Sequence, residues 1–500
     1  MEIASGCRLC GVKPTSLRFN RCRYPTSTRA SVNFSSQRRR EVQLRGASLD
    51  HADLQTWLQE AKGIDPPSTL KSAQVAEEWG SRIGYVATRS LRGGEVVCEI
   101  PGDVSVTMVD ACDHPLIGYL ARDRSELIAL TLWLMAERSA GSASSWRPFL
   151  ETLPDRTMTP ILWTESERKK LLSGSPVQEE AEIRINTLKS EWQTLEAEFS
   201  QDREKFPLDA FNQDSFFSGF SVIMSAAIYL PSAKCFALLP SLFGMKRTGF
   251  ENGAAVDYDL ESGLVQLIAQ EPFREGQEVC LFDGRPNSEL MLSTGTVEER
   301  NPSDFIEMEV SLVQSDRLYM AKREILETMD LQPVQKFPVY ENRMPIQLLS
   351  YVRLSRVGET GQLTRVNFQE DVEVSQMNEY EVLQLLLGEC RTGLARYETA
   401  IEEDIKDLQS PEMEPKARLA RNLVLGEKRI LQGTLDSVRK KLAPIRGIPT
   451  KSGLTDPNQD IIDVFTTIED LPKKPKEMLD GFMSWVKGED DPSWGKKNKR

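Results

Sequence analysis

Gly84-Tyr85-Val86-Ala87-Thr88 and, shortly after it, Glu95-Val96-Val97-Cys98-Glu99-Ile100 are the two short runs on which the reading of this chain turns. Both are apolar and rich in β-formers. Gly93-Gly94 lies between them as a turn signal, and Pro101-Gly102 stops the second. The pattern predicts two strands joined as a β-hairpin.

Away from these strands the period changes. Upstream, Leu54, Trp57 and Leu58 open an amphipathic stretch that runs into a turn at Pro66-Pro67. Downstream, Leu116, Leu120, Leu127, Leu130 and Leu134 recur at helical spacing over 115–140. Charged stretches at 164–172 and 178–205 read as solvated helices, and a second apolar helix is expected at about 212–230. Strands return at 264–269 and 277–282, with a turn at Glu275-Gly276. A strand-like piece at 305–313 then gives way to helix, with the longest periodic stretches at 379–408 and 416–442. From Ile445 onward Pro449, Gly453 and Pro457 punctuate a polar arm with apolar segments at 461–465 and 478–486. An arm too polar to fold alone, yet carrying such segments, fits either docking onto a partner or packing back on its own domain.

The chain has 500 residues and a formal charge of −13, a length for two or three domains. No run approaches the ~18 apolar residues of a membrane span. Residues 1–46 hold ten Lys/Arg against Glu2 and Glu41, a charge of +8, which leaves −21 for residues 47–500. The Arg- and Ser-rich, acid-poor head lacks a secretory apolar core and reads as a chloroplast transit peptide; the other reading is a basic arm that stays attached. The acidic body argues against broad contact with nucleic-acid phosphates, so any such contact is expected to be indirect. Five of eight cysteines follow residue 46, scattered and without metal-ligand spacing, so no metal is expected.

Several segments together resemble the SET-domain lysine methyltransferases that modify the Rubisco large subunit. They are Ile83-Gly84-Tyr85-Val86-Ala87 with Gly94-Glu95-Val96-Val97; Trp146-Arg147-Pro148-Phe149-Leu150; Thr159-Pro160-Ile161-Leu162-Trp163; Leu239-Pro240; Asp257-Tyr258-Asp259; Pro272-Phe273-Arg274-Glu275-Gly276-Gln277-Glu278-Val279; and Asn287-Ser288-Glu289-Leu290. Tyr397-Glu398-Thr399-Ala400-Ile401-Glu402-Glu403-Asp404 and Leu425-Gly426-Glu427-Lys428 resemble the family's substrate-binding lobe. The resemblance implies an α+β fold. A knotted β SET core spans 47–300 with a helical insertion at about 112–215, followed by an all-α lobe at 301–444 and an arm at 445–500. It also implies an S-adenosylmethionine cleft and a channel for the target lysine. Catalysis there rests on alignment and desolvation of a neutral amine, with a tyrosine hydroxyl and backbone carbonyls orienting it.

The same resemblance marks where the site departs from its pattern. Ser81-Arg82-Ile83-Gly84 puts Arg82 where the first glycine of a Gly-x-Gly turn belongs, keeping only Gly84. Ser225-Ala226 replaces Ser-Arg. Lys246 and Arg247 stand at the Asn-His pair, Asp283 at the catalytic tyrosine and Thr294 at a further aromatic. Two of these losses need no alignment: the chain's two histidines are His51 and His114, and no tyrosine lies between Tyr258 and Tyr319. A cation about 4 Å from a sulfonium repels it by ~4 kcal/mol at an effective dielectric near 20. The pocket at Arg82, Gly84, Ala226, Lys246 and Arg247 therefore reads as degenerate: cofactor binding is weakened if Lys246 and Arg247 point inward, and the pocket merely lacks its usual donors if they point outward.

Two functions stay open on these residues. One is an accessory subunit that keeps the scaffold, which the resemblance places with the plastid-encoded RNA polymerase in the chloroplast. The other is an active S-adenosylmethionine-dependent lysine methyltransferase in which Asp283 orients or deprotonates the amine. The bland reading of Asp283 is a turn aspartate before Gly284.

Overall fold

The computed structural model describes residues 51–445 except 64, 66, 78 and 79. The expected transit segment and the arm beyond 445 lie outside the described residues.

Among the described residues, twelve strands form four sheets. They are β1 Leu70–Glu77, β2 Gly80–Ala87, β3 Val96–Pro101, β4 Val106–Thr107, β5 Ile228–Leu230, β6 Cys235–Leu238, β7 Arg247–Thr248, β8 Ala254–Asp259, β9 Leu264–Ala269, β10 Leu281–Phe282, β11 Ile306–Ser311 and β12 Val334–Val339. The largest sheet has the order β3-β9-β8-β10-β7, with β10 parallel to both neighbours. β1 pairs β2, β11 pairs β12, and the third small sheet runs β4-β6-β5.

The expected hairpin between 84–88 and 95–100 does not form. β2 pairs antiparallel with β1, from Leu70↔Ala87 to Glu77↔Gly80, and β3 pairs with β9. The intervening residues explain this. Leu91 bridges to Phe273, and Gly94, at φ +80°, donates its N–H to Ala269 O at 2.7 Å. The chain is thereby turned onto β9 instead of back along β2. The other edge of β2 is taken by 276–279, where Val279 N–H donates to Tyr85 O and Gly276 N–H to Ala87 O, each at 2.8 Å. This diversion also shortens the expected 277–282 strand to β10. β1 escaped sequence reading because Lys71-Ser72-Ala73-Gln74 carries neither aromatic nor β-branched residues.

The helical insertion packs Glu126–Ala140, Pro176–Gln201 and Gln213–Ala226 around Leu130, Trp133, Leu188, Trp192, Phe216 and Phe220. Pro176–Gln201, expected as solvated, buries Val177, Ala181, Ile185, Leu188, Trp192, Leu195 and Phe199 along one face. That stripe at spacings of three and four was present in the sequence, masked by the charges between.

The lobe is helical but not wholly α: β11 and β12 form a two-stranded sheet at its base. Its core gathers Phe337, Leu348, Tyr351, Leu383, Leu386 and Val438. The 379–408 stretch is two helices, Gln376–Ala395 and Ile401–Leu408. The break is held by Lys428 Nζ, which donates to Thr399 O at 2.6 Å. Pro415–Leu442 then runs the length of the lobe.

Candidate functional site

The helix Gln213–Ala226 ends because Ala227 turns to extended backbone. Its last carbonyls lose intrahelical partners and carry the negative end of the helix dipole. Arg247, the first residue of β7, fills that position. Its Nη2 donates to Ser225 O (3.1 Å), Ala226 O (3.4 Å) and Ala227 O (3.2 Å). Its Nη1 lies 3.4 Å from Asp283 Oδ2.

Asp283 is placed by the parallel pairing of β10 with β7, which its own N–H extends to Thr248 O at 2.7 Å. The side chain is buried between two guanidiniums. Arg285 folds back to donate from Nε to Oδ1 (2.8 Å) and from Nη2 to Oδ2 (2.6 Å). Arg285 Nη1 also donates to Ser293 Oγ at 2.9 Å, and Ser293 in turn donates to Glu289 O. The side chain of Glu289 takes a two-point grip from Arg184, at 3.0 and 2.6 Å, and Arg184 also pairs with Glu180. Ion pairs joined through the neutral Ser293 hydroxyl and the Glu289 backbone thus link the helix end at Ala226 to Arg184 in the insertion.

Burial alone would raise the Asp283 pKa. Arg285 and then Arg247 outweigh it and hold the carboxyl well below the usual carboxylate range. Burial lowers Arg247, with Asp283 acting against it. For Arg285 burial pulls the pKa down, but the Asp283 charge and hydrogen bonds, helped by Glu289, outweigh it and raise it. Asp283 is therefore a locked anion. Both of its oxygens accept from arginine side chains, and Oδ1 also accepts from the Arg285 backbone N–H at 3.4 Å, so the carboxylate closes its own turn as well as pairing with the guanidiniums.

The structure brings together three of the expected residues, Ala226, Arg247 and Asp283. Lys246 separates from them: its side chain is exposed and only its carbonyl is engaged, by Leu281 N–H at 2.8 Å. Arg82 and Gly84 lie on β2 in register with Val75 and Ala73; the Arg82 side chain lies outside the described residues. Thr294 is buried, with its hydroxyl on Leu290 O. Sequence reading missed Arg285. The signal available was its place in Asp283-Gly284-Arg285-Pro286, since an arginine two residues after an aspartate across a tight turn can fold back on it.

With this geometry in hand, residues 313–431 match the family model described as Rubisco LSMT substrate-binding. Solved structures agree. Rubisco LSMT bound to AdoMet superposes with a TM-score of 0.61 at 22% identity, covering 86% of this chain and 99% of that one. The SET domain of LSMT bound to lysine and AdoHcy gives 0.62 at 24%, covering 80% and 93%. The fold is that of Rubisco LSMT. The α+β expectation of a SET domain with a substrate-binding lobe therefore holds.

Among curated proteins, the Actin-histidine N-methyltransferase of Danio rerio is 26% identical over 415 residues, covering 78% of this chain and 68% of the relative. That of Homo sapiens is 27% identical over 379 residues, covering 71% and 63%. The chain thus spans about two thirds of the length of these relatives. The homologues are SET-type protein methyltransferases.

The donor set can be tested against the cofactor those neighbours carry. A sulfonium is a cation that a pocket accommodates with carbonyls, carboxylates or aromatic faces. Here the helix-end carbonyls are occupied by Arg247, the carboxylate by two guanidiniums, and the centre carries a net positive charge. These residues do not suit the methyl-bearing end of S-adenosylmethionine. Among the described residues no group of three or more His, Cys, Asp or Glu is arranged to hold a metal ion.

Proposed function

We propose that this chain uses a SET methyltransferase scaffold as a protein-binding subunit whose transfer site is closed by its own ion cluster. The observation behind this is the Arg247–Asp283–Arg285 arrangement, with Arg247 seated on the carbonyls of Ser225, Ala226 and Ala227. A fold built to receive a protein segment keeps that use when the chemistry is lost, because the lobe that matches the substrate-binding family is separate from the altered pocket. The partner we propose is the plastid-encoded RNA polymerase, with this chain an accessory subunit resembling the SET-domain protein of the plastid transcriptionally active chromosome, number fourteen of that set. Such a subunit would sit in the chloroplast nucleoid and support plastid transcription and chloroplast development, meeting nucleic acid through its partners. The division proposed is transit peptide 1–46, SET domain 47–300, lobe 301–444 and docking arm 445–500.

The second reading is an active plastid S-adenosylmethionine-dependent protein methyltransferase. The likeness to Rubisco LSMT and to relatives named for actin-histidine methylation favours it. It requires Arg247 to leave its carbonyls and Asp283 to part from both arginines. Calorimetric titration of purified 47–500 with S-adenosylmethionine separates the two. The scaffold reading expects no heat up to high micromolar cofactor, together with co-purification of the imported protein with polymerase subunits. Saturable binding with methyl transfer to a protein substrate would overturn it, and so would recovery of the imported protein solely as a free monomer.

A further inference from the structure

The SET domain and the lobe meet at a buried acid. Glu427, on the Pro415–Leu442 helix, is 4% exposed. Its Oε1 accepts from Ser175 Oγ at 2.8 Å, and its Oε2 from Tyr397 OH at 3.1 Å. Ser175 belongs to the insertion and Tyr397 to the break between two lobe helices, so this one carboxyl ties three parts of the chain. The seam around it is tight. Gly174, at φ +83°, packs so closely that a Cβ there would collide with Arg396 O, and Ser173 Oγ reaches Glu398 Oε1 at 3.1 Å. A second carboxyl, Asp304, stands beside it: a Cβ on Gly426 would lie 3.2 Å from Asp304 Oδ2.

Arg396, beside Tyr397, acts on Tyr397 and on Glu389, and the other cations nearby are paired elsewhere. Lys428 Nζ bonds Asp404 Oδ2 at 2.6 Å and Thr399 O, and Arg421 also takes Asp404. Lys416 pairs with Glu167 of the insertion at 2.7 Å, Arg184 with Glu289 of the helix Asn287–Ser293, and Lys336 of β12 with Glu307 of β11. Arg429 faces Glu299 at 3.9 Å. Asp304 itself is held by Asn287, through N–H and Nδ2, each at 2.8 Å. Glu427 is left with two neutral hydroxyls for partners.

We propose that Glu427 and Asp304 form an acid-closed joint that holds the lobe against the SET domain at low pH and loosens it as pH rises. The joint acts whether or not the site transfers methyl groups. Burial, then the Asp304 charge, push Glu427 up to about 8, against the pull of Ser175, Tyr397 and Lys428. Burial pushes Asp304 up to about 6. A carboxyl whose pKa is raised by folding stabilises the closed state fully below its ordinary range. That contribution falls as pH climbs and is gone above the raised value.

Hydrogen exchange on the full chain reads the joint directly. Protection factors at amides 172–176 and 396–400 are expected to fall once pH passes the ordinary carboxylate range, by up to about tenfold per pH unit between about pH 6 and about pH 8 where Glu427 alone titrates, and to level off above that. Glu427→Gln, which stays neutral, is expected to flatten that slope. Ser175→Ala, which removes a bond from the ionised form, is expected to move the midpoint upward and serves if the Gln variant fails to fold. Flat protection in the native chain, an unchanged slope in Glu427→Gln, or an unmoved or lowered midpoint in Ser175→Ala would each overturn the proposal.

Discussion

Replacing Asp283 by asparagine is expected to lower the stability of the SET domain by about 3 kcal/mol, within the range for removing one partner of a buried ion pair. The carboxylate stands between Arg247 and Arg285, and its removal leaves two guanidiniums facing each other in a half-buried site. Asparagine keeps the size and one acceptor but not the charge. Ser293→Ala is the control, because it removes no charge, only the hydroxyl that accepts from Arg285 and donates to Glu289 O, and should cost about 1 kcal/mol. Denaturant unfolding of the two variants separates charge from hydrogen bonding; equal losses would refute the ionic account. The pH dependence has a definite sign. Because folding depresses the Asp283 pKa, its contribution is complete above the ordinary aspartate range and is lost only as pH falls toward the lowered value. The native chain should therefore show no loss from this group between pH 5 and 9, and Asp283→Asn should sit below it by a constant amount there.

Much of this site was legible before any coordinates. No histidine follows His114 and no tyrosine lies between Tyr258 and Tyr319, so the Asn-His pair and the hydroxyl that the resemblance implies have no counterpart there in any register. What replaced them was not legible. Arg247 and Asp283 are 36 residues apart, and they meet only because β10 lies parallel to β7. Local sequence cannot specify a parallel pairing of two-residue strands, since each is too short to carry a pattern of its own. The same limit explains why Lys246 and Arg247, adjacent and alike in charge, divide between solvent and site. Side chains alternate faces along a strand, and which face is inside depends on the partner strand. The misread hairpin has a related cause. Both runs were correctly read as strands, but neither took the other as partner: β2 pairs with β1, just before it in the chain, and along its other edge with 276–279, while β3 pairs with the distant β9. The helices fared better because their apolar stripes are long, though the charges of 178–205 hid a face that ends up in the core.

The lobe offers the second large effect. Arg353→Met is expected to destabilise it by roughly 3–5 kcal/mol, a fall of about 10 °C in its unfolding midpoint. Arg353 is 1% exposed and grips Glu379, itself 2% exposed, through Nε at 2.7 Å and Nη2 at 2.9 Å; its Nη2 also pairs with the more exposed Asp371 at 2.6 Å. Methionine leaves the Glu379 charge buried without a counterion. The pair itself is not an optimal arrangement, because Arg353 Nη1 is buried with no partner among the described residues. Desolvating both ions therefore offsets much of their attraction. It follows that Arg353→Met/Glu379→Met should recover most of the loss, with Asp371 still paired to Lys441 at 3.1 Å. Thermal unfolding of the two singles and the double closes the cycle. Recovery to within about 1 kcal/mol of the native chain means that the pair costs as much to bury as it returns. A double variant as unstable as Arg353→Met would mean that the ion pair contributes net stability, and that the lobe depends on it.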